Sequence, residues 1–423
     1  MIVPSIDLQG GQTVQLIGGV EKALEAGDPR PIARRFGRVG EVAVIDLDAA
    51  IGTGSQTELV RELLDLAPCR VGGGIRDVET ARMWLDAGAH KIILGTAARP
   101  EVLRELPRER VIVALDAHSG EVVVEGWRTR TGRSIEECLE ELREFADAFL
   151  ITFVEREGRL GGIDLDYAAR LVELAKGSHI TFAGGITTAE EIAALDQLGA
   201  DAQIGMALYR GHLDLTEGFA GVLRSDRADG LWPTVVQEED GTLLGLCYSS
   251  LRSLREAIDS GRGVYESRRR GLWIKGESSG ATQELLGVDV DCDRDTLRFL
   301  VRQHGDGFCH RGTVSCFADG PGLPVLMRRL AQRVEDAVPG SYTRRLLDDA
   351  DLLRAKLCEE AGELADAEGR EDVAAEAADL IYFASVALTR SGVSLAEVFA
   401  QLERRSRRVS RRPGNAKPGV SSP

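Results

Sequence analysis

Val71-Gly72-Gly73-Gly74-Ile75-Arg76 is the stretch that decides the fold, because part of it returns. Gly73-Gly74-Ile75 recurs later as Gly184-Gly185-Ile186. Leu94-Gly95-Thr96-Ala97 recurs as Ile204-Gly205-Met206-Ala207. Asp7 and Asp116 each end a strand-like run and stand at nearly the same separation as those two pairs. Matched offsets of this kind predict a domain built of two similar halves. Between the marks lie the apolar runs Val42-Ala43-Val44-Ile45-Asp46, Lys91-Ile92-Ile93-Leu94-Gly95, Val111 to Asp116 and Ala148-Phe149-Leu150-Ile151-Thr152. Each is followed by a Gly-rich or polar turn and an amphipathic stretch, the pattern of parallel strands with crossover helices. About eight such units fit residues 1–222, which predicts a closed (β/α)8 barrel.

In such a barrel the strand C-termini and the loops after them form the active face. Asp7, Asp116 and Thr152 fall at strand ends, with Glu157 in the loop beyond. Gly73, Gly74 and Gly95 in one half answer to Gly184, Gly185 and Gly205 in the other. Glycines let backbone N–H groups approach a phosphate closely. A matched pair of such sites suits a substrate with a phosphate at each end.

The chain has 423 residues, 43% hydrophobic and 28% charged, with a net charge of −16. That length calls for several domains in a soluble globular protein. The acidic balance argues against nucleic acid and anionic membrane surfaces as partners. The N-terminus lacks the pattern of a signal peptide, and no apolar run is long enough to span a membrane, so the expected compartment is the cytoplasm. Seven cysteines are too few for a disulfide scaffold. Cys69, Cys138, Cys247 and Cys358 read as packing residues.

A polar linker, Arg224 to Gly230, ends the barrel segment. Residues 226–320 form a strand-rich second domain with many turns. Ala318-Asp319-Gly320-Pro321-Gly322 reads as a second linker. Residues 323–410 show helical periodicity, over Arg344 to Ala367 and Asp372 to Thr389 in particular. Residues 411–423 read as a disordered tail.

The second domain carries Asp291-Cys292-Asp293-Arg294-Asp295, then Cys309-His310 and Cys316. In an extended segment side chains alternate, so Asp291, Asp293 and Asp295 would share one face and Cys292 would point to the other. Carboxylates suit Mg²⁺ and thiolates suit Zn²⁺. Three thiolates, from Cys292, Cys309 and Cys316, leave a fourth zinc position open, as catalytic zinc requires. The alternative is a structural zinc site or buried thiols, but the spacing is not that of paired structural ligands. His310, next to a ligand, is placed to act as a base or proton shuttle. Lys275-Gly276-Glu277-Ser278-Ser279-Gly280 suits a phosphate-and-ribose pocket, with Tyr265, Ser267 and Arg268 as neighbours in the sequence.

In the third domain Glu360 and Glu363 share one helix face, and Glu376 and Asp379 share another. With Glu359 beside them, two such faces turned together would hold Mg²⁺ and a polyphosphate.

Three resemblances follow from these residues. Pro4 to Leu8, Ile45-Asp46-Leu47-Asp48-Ala49, Val71 to Arg76, Ala114-Leu115-Asp116 and Gly126-Trp127 resemble the ProFAR isomerase family of histidine biosynthesis. That resemblance implies conversion of a bis-phosphorylated aminoaldose to a ketose, with Asp7 as base and Glu157 as acid. The chain has Glu157-Gly158-Arg159 where the family usually has Asp-Gly-Thr, Thr152-Phe153 for Thr-Asp, and Val14-Gln15-Leu16 for Val-Arg-Leu. The metal segment and its surroundings resemble phosphoribosyl-AMP cyclohydrolase. This implies zinc-dependent hydrolytic opening of the adenine ring and a homodimer. Ala281 stands where that family usually has His or Asn. Ser341 to Leu346, Lys356 and the Glu359–Glu363 segment resemble phosphoribosyl-ATP pyrophosphohydrolase, which implies Mg²⁺-dependent cleavage between the α- and β-phosphates. The other readings are a non-catalytic scaffold for the barrel and a general nucleoside-triphosphate pyrophosphohydrolase for the helical domain.

Overall fold

A computed structural model describes the chain except for residue 20, residues 318–321, 337–339 and 411–423. The second linker, but for Gly322, and the C-terminal tail expected from the sequence thus lie outside the described residues.

Eight segments, the four apolar runs among them, form parallel strands: Ile2–Gln9, Val42–Asp46, Cys69–Gly72, Lys91–Leu94, Val111–His118, Ala148–Phe153, His179–Ala183 and Asp201–Ile204. Each pairs with the next, and Asp201–Ile204 pairs with Ile2–Gln9, so the sheet closes on itself. Closure leaves no sheet edge among these strands. Runs such as Val42-Ala43-Val44 are buried on both faces, which is why they read as continuous rather than alternating. Inward-facing Ile93, Ile112, Ala148, Leu150 and Ala183 pack together, with Ile45 and Ala114 against them.

At the N-terminal ends of the strands a charge network replaces apolar packing. Buried Arg70 pairs with Glu41 and with Asp201 at 3.3 Å, and donates to Thr181 at 3.0 Å. Burial opposes ionisation of Glu41, but the hydrogen bond from His90 and the Arg70 and Lys91 charges take its pKa down to about 2. Charge balance there serves stability, since the chemistry of such barrels sits at the opposite end.

The chain packs as two compact units. Of the described residues, the first holds Met1–Val236, Leu246–Gly305 and 407–410; the second holds Gln237–Gly245 and those within 306–406. In the first unit, the antiparallel strands Gln283–Val290 and Leu297–Gln303 follow the helix Leu251–Ser260 and the hairpin Val264–Ser267 with Gly271–Ile274. This segment docks on the barrel. Arg35 pairs with Asp259 at 2.8 Å, Arg255 pairs with Asp214 and Glu217, and Val288 N donates to Arg38 O at 2.7 Å.

In the second unit, Leu323–Asp336, Tyr342–Asp348, Ala350–Asp366 and Arg370–Arg390 are helices around Leu330, Leu346, Leu353, Phe383 and Val386. The periodic stretch Arg344 to Ala367 is therefore two helices, not one. Asp349 breaks it: its backbone is extended and its side chain accepts from Asp351 N and Leu352 N, capping the second helix.

Candidate active sites

One cavity of about 950 Å³ lies over the C-terminal ends of the barrel strands, lined by Asp7, Asp116, Thr152, Glu157 and both glycine pairs. Its floor is the inward layer of Ile45, Ile93, Ala114, Leu150 and Ala183. The two halves agree in detail. Gly73 and Gly74 have φ of 93° and 70°, and Gly184 and Gly185 both have 91°. A Cβ at Gly73 would collide with the Asp46 backbone, and one at Gly184 with the Phe153 backbone. Only glycine fits either turn. Gly95 has open space around it, and Gly205 sits against Gln15 and Ser5.

Three carboxylates share this cavity. Burial raises the Asp7 pKa to about 7, although a hydrogen bond from Gln15 Nε2 at 3.2 Å works against the rise. Burial, with the charges of Asp7 and Asp116, raises Glu157 to about 8. Burial also raises Asp116, while hydrogen bonds with Thr152 and Trp127 oppose it. Crowded carboxylates without an adjacent cation stay partly protonated at neutral pH, which equips one as an acid and another as a base. Gln15 is itself buried and also donates to Val14 O. It sits where an arginine would have neutralised Asp7.

Gln15 and Trp127 were not singled out as site residues from the sequence. Both come from hairpins inserted after barrel strands, and Trp127 has φ of 67° and packs over Gly19. The departure at Gln15 and the Gly126-Trp127 match were the signals that pointed to them.

The acidic segment of the second domain is not an extended strand. The strand ends at Val290, and Asp291 to Thr296 form the turn to Leu297–Gln303. Asp291 Oδ1 accepts from Asp295 N and Thr296 N, both at 3.1 Å, and Arg294 takes φ of 69°. Alternation is thus the wrong reason for the grouping. The curled turn nevertheless brings one oxygen each of Asp291, Asp293 and Asp295 within 4.8 Å of one another. Such a set fits a hard divalent cation. Cys292 is exposed at the same turn.

Cys309 and Cys316 lie in the second unit on a tight turn. Phe308 N donates to Val314 O, Cys309 N to Thr313 O, and Cys316 N to Leu244 O. Hydrogen bonds from the Arg311 backbone and the Thr313 side chain hold the Cys309 thiol below its ordinary pKa, with Cys316 adding to them. A thiol so disposed is closer to the thiolate that zinc takes. His310 is exposed, with Nδ1 4.0 Å from Cys309 Sγ.

Around the acidic turn, Tyr265 is a core residue rather than a surface contact. It is fully buried, donates to Gln283 Oε1 at 2.7 Å, and packs against Trp273 and Phe299. Lys275 is buried too and donates to Ala281 O at 3.0 Å. Ser267 accepts from Arg270 N, Arg268 lies over the Tyr248 ring, and Glu277 is exposed. Of the four cysteines read as packing residues, Cys69, Cys138 and Cys247 are buried, but Cys358 is exposed on its helix.

In the helical unit the two faces do turn together. Glu359, Glu360 and Glu363 form one group of oxygens within 4.8 Å, and Glu360, Glu376 and Asp379 form another. Glu360 belongs to both and is buried. Lys356 Nζ lies 2.8 Å from Glu360 and 3.0 Å from Glu359, which raises its pKa. Burial and the charges of Glu363, Glu360 and Asp379 raise Glu376. A carboxylate pushed upward by its neighbours marks a shortage of positive charge, which a divalent cation would make good.

A two-half barrel with an acid–base cavity, joined to clusters of metal-type ligands, defines a multidomain protein of enzyme-like construction. The chain belongs to the histidine biosynthesis protein family, whose model matches residues 1–214. Residues 245–318 match the model for phosphoribosyl-AMP cyclohydrolase, and residues 323–406 match that for phosphoribosyl-ATP pyrophosphohydrolase. The chain is 38% identical over 340 residues to a histidine biosynthesis trifunctional protein of Neurospora crassa, covering 79% of this chain and 36% of that protein. It is 52% identical over 193 residues to the histidine biosynthesis bifunctional protein his7 of Schizosaccharomyces pombe, covering 46% of each. An imidazole-4-carboxamide isomerase of Methanocaldococcus jannaschii, whose name carries two phosphoribosyl groups, is 35% identical over 228 residues, 51% of this chain and 96% of that protein. The chain thus spans less than half the length of the multifunctional relatives it matches. Among the described residues, no helix is long and apolar enough to cross a membrane.

Proposed function

We propose that this chain performs three reactions of histidine biosynthesis. Residues 323–410 hydrolyse phosphoribosyl-ATP to phosphoribosyl-AMP and pyrophosphate. Residues 226–320 open the adenine ring of that product by hydrolysis. The barrel, residues 1–222, isomerises the bis-phosphorylated aminoaldose that results. What carries this reading is that each family match falls on a constellation of the matching chemistry. We place this work in the cytoplasm, and two copies of the chain pair through the cyclohydrolase segment, as the likeness to that family implies.

An aldose-to-ketose conversion needs one proton removed from carbon and another delivered to oxygen. Asp7, titrating at about 7, takes the first; Glu157, titrating at about 8, gives the second. Gly73, Gly74 and Gly95 hold one phosphate by backbone N–H groups, and Gly184, Gly185 and Gly205 hold the other. Asp116 and Thr152 orient the sugar between them.

Zinc held by Cys292, Cys309 and Cys316 would supply Lewis acidity, and magnesium held by Asp291, Asp293 and Asp295, and by Glu359, Glu360, Glu363, Glu376 and Asp379, would supply positive charge against phosphate oxygens. His310 moves a proton at its exposed ring. Ser267, Arg268 and Glu277 hold the phosphate and ribose, and buried Lys275 fixes the turn that carries Glu277. Glu360 orients the cluster from its buried position, and Lys356 sets a positive charge beside it.

The test is a Glu157→Gln chain assayed for all three steps. Isomerase turnover should fall about 10²- to 10⁴-fold, the usual worth of a general acid. Both hydrolases should keep wild-type rates. Absence of isomerase turnover in the wild-type chain would instead leave the barrel as a scaffold.

A further inference from the structure

Between Asp291 and Asp295, Arg294 is the one residue with neither a carboxylate nor a thiol, and its conformation is unfavourable for an arginine. Its φ of 69° lies in the left-handed region, where a Cβ crowds the following carbonyl. Something outside the turn must hold it there. Arg294 Nη2 lies 2.6 Å from Asp196 Oδ1, at the end of the barrel helix Ala189–Gln197, and the carboxylate is 12% exposed. Arg294 O accepts from Arg224 N at 2.8 Å, so the backbone is held as well as the side chain. Asp196 also takes the Met1 amine at 3.0 Å, which fixes it to the N-terminal end of the first barrel strand.

We propose that the barrel holds the Asp291–Asp295 turn in its cation-binding shape through the Arg294–Asp196 pair. Asp196 is then a positioning residue for the cyclohydrolase step, although it belongs to the isomerase-like barrel. The inference rests on the reading of this turn as a divalent-cation site. It gives the barrel a role in the second domain that does not depend on its own turnover. The logic is that of outer partners at metal sites. Asp291 already spends Oδ1 on Asp295 N and Thr296 N, and Thr296 Oγ1 holds Asp295 at 2.8 Å. The three carboxylates therefore converge only while the backbone between Asp291 and Asp295 stays curled, and Arg294 is the residue within it that has an external anchor.

The experiment measures Mn²⁺ binding to the full, zinc-loaded chain by calorimetry. Asp293→Asn identifies the turn's own site as the Mn²⁺ that disappears, while the Mn²⁺ of the helical unit remains. Asp196→Asn should keep the stoichiometry but weaken that site about tenfold, the lower end of what lost outer partners cost. Arg294→Gln should do the same from the other end of the pair. Glycine adopts the left-handed backbone of this position without strain, so Asp196→Asn with Arg294→Gly should regain most of the lost affinity. A purely structural role for Asp196 would not produce that rescue. Unchanged Mn²⁺ affinity in both Asp196→Asn and Arg294→Gln overturns the proposal and leaves the metal turn standing. A stoichiometry unmoved by Asp293→Asn overturns the turn as a cation site, and the proposal with it.

Discussion

Asp7 and Glu157 line one cavity with their ordinary acidities displaced in the same direction, and the proposed acid–base pair needs opposite protonation states of them. In the proposed mechanism the productive form has Asp7 ionised and Glu157 protonated. Below about 7 Asp7 keeps its proton, and above about 8 Glu157 loses its own. Isomerase kcat/KM should therefore follow a narrow bell with its maximum between these values, each limb belonging to the coupled set rather than to one residue. Asp116→Asn removes one of the charges that raise Glu157, so the alkaline limb should move to lower pH. A flat profile from pH 6 to 9 would refute the assignment. Asp7 was legible in the sequence as a strand end in a repeated barrel, and Glu157 as an acid in the loop beyond the strand Ala148–Phe153. Gln15 and Trp127 were not, because their approach to the cavity depends on hairpins whose path no periodicity encodes. The same limit appears at Asp291 to Asp295, where residue types foretold that the carboxylates would gather and alternation gave the wrong geometry. A turn closed by Asp291 with the backbone of Asp295 and Thr296 has no strand-like alternation to read.

At the level of elements, helical spacing was the more reliable guide. Glu360 with Glu363, and Glu376 with Asp379, lie three apart, and helices Ala350–Asp366 and Arg370–Arg390 set those faces against one another. Spacing within a helix fixes a face whatever the tertiary context, whereas the break at Asp349 falls in the run Asp348-Asp349-Ala350-Asp351, where three aspartates are equally suited to cap a helix. Glu360 is the member shared by both groups of oxygens, so it should be the least replaceable. Glu360→Gln should reduce pyrophosphohydrolase turnover more than Glu359→Gln, measured as pyrophosphate release at saturating Mg²⁺. Cyclohydrolase and isomerase rates in the same samples report that the rest of the chain is intact. Equal effects from the two substitutions would remove the shared-ligand arrangement from the mechanism.

For the whole molecule, the three chemistries proposed for this chain should separate by their need for metal. Removal of divalent ions by a chelator should abolish both hydrolytic steps and leave the isomerase untouched, because the proposed Asp7–Glu157 pair calls for no cation. Mg²⁺ alone should restore pyrophosphate release, and ring opening should require zinc as well. Ring opening restored by Mg²⁺ alone would exclude Cys292, Cys309 and Cys316 as a zinc set. The order of segments was visible in the sequence through composition changes at Arg224 to Gly230, but the packing was not. The segment after the barrel docks on it through Arg35, Arg38 and Arg255, pairs that no local pattern foretells.

The doubled glycine turns carry one more consequence. Gly73-Gly74 belongs to the first half of the barrel and Gly184-Gly185 to the second, and both line a single cavity. A ligand with a phosphate in each turn is then a clasp fastened across the seam between the halves. Mechanically, pulling the barrel apart at that seam would have to break the ligand's grip at one end first, so occupancy would stiffen the domain along the one direction in which its internal repeat makes it divisible.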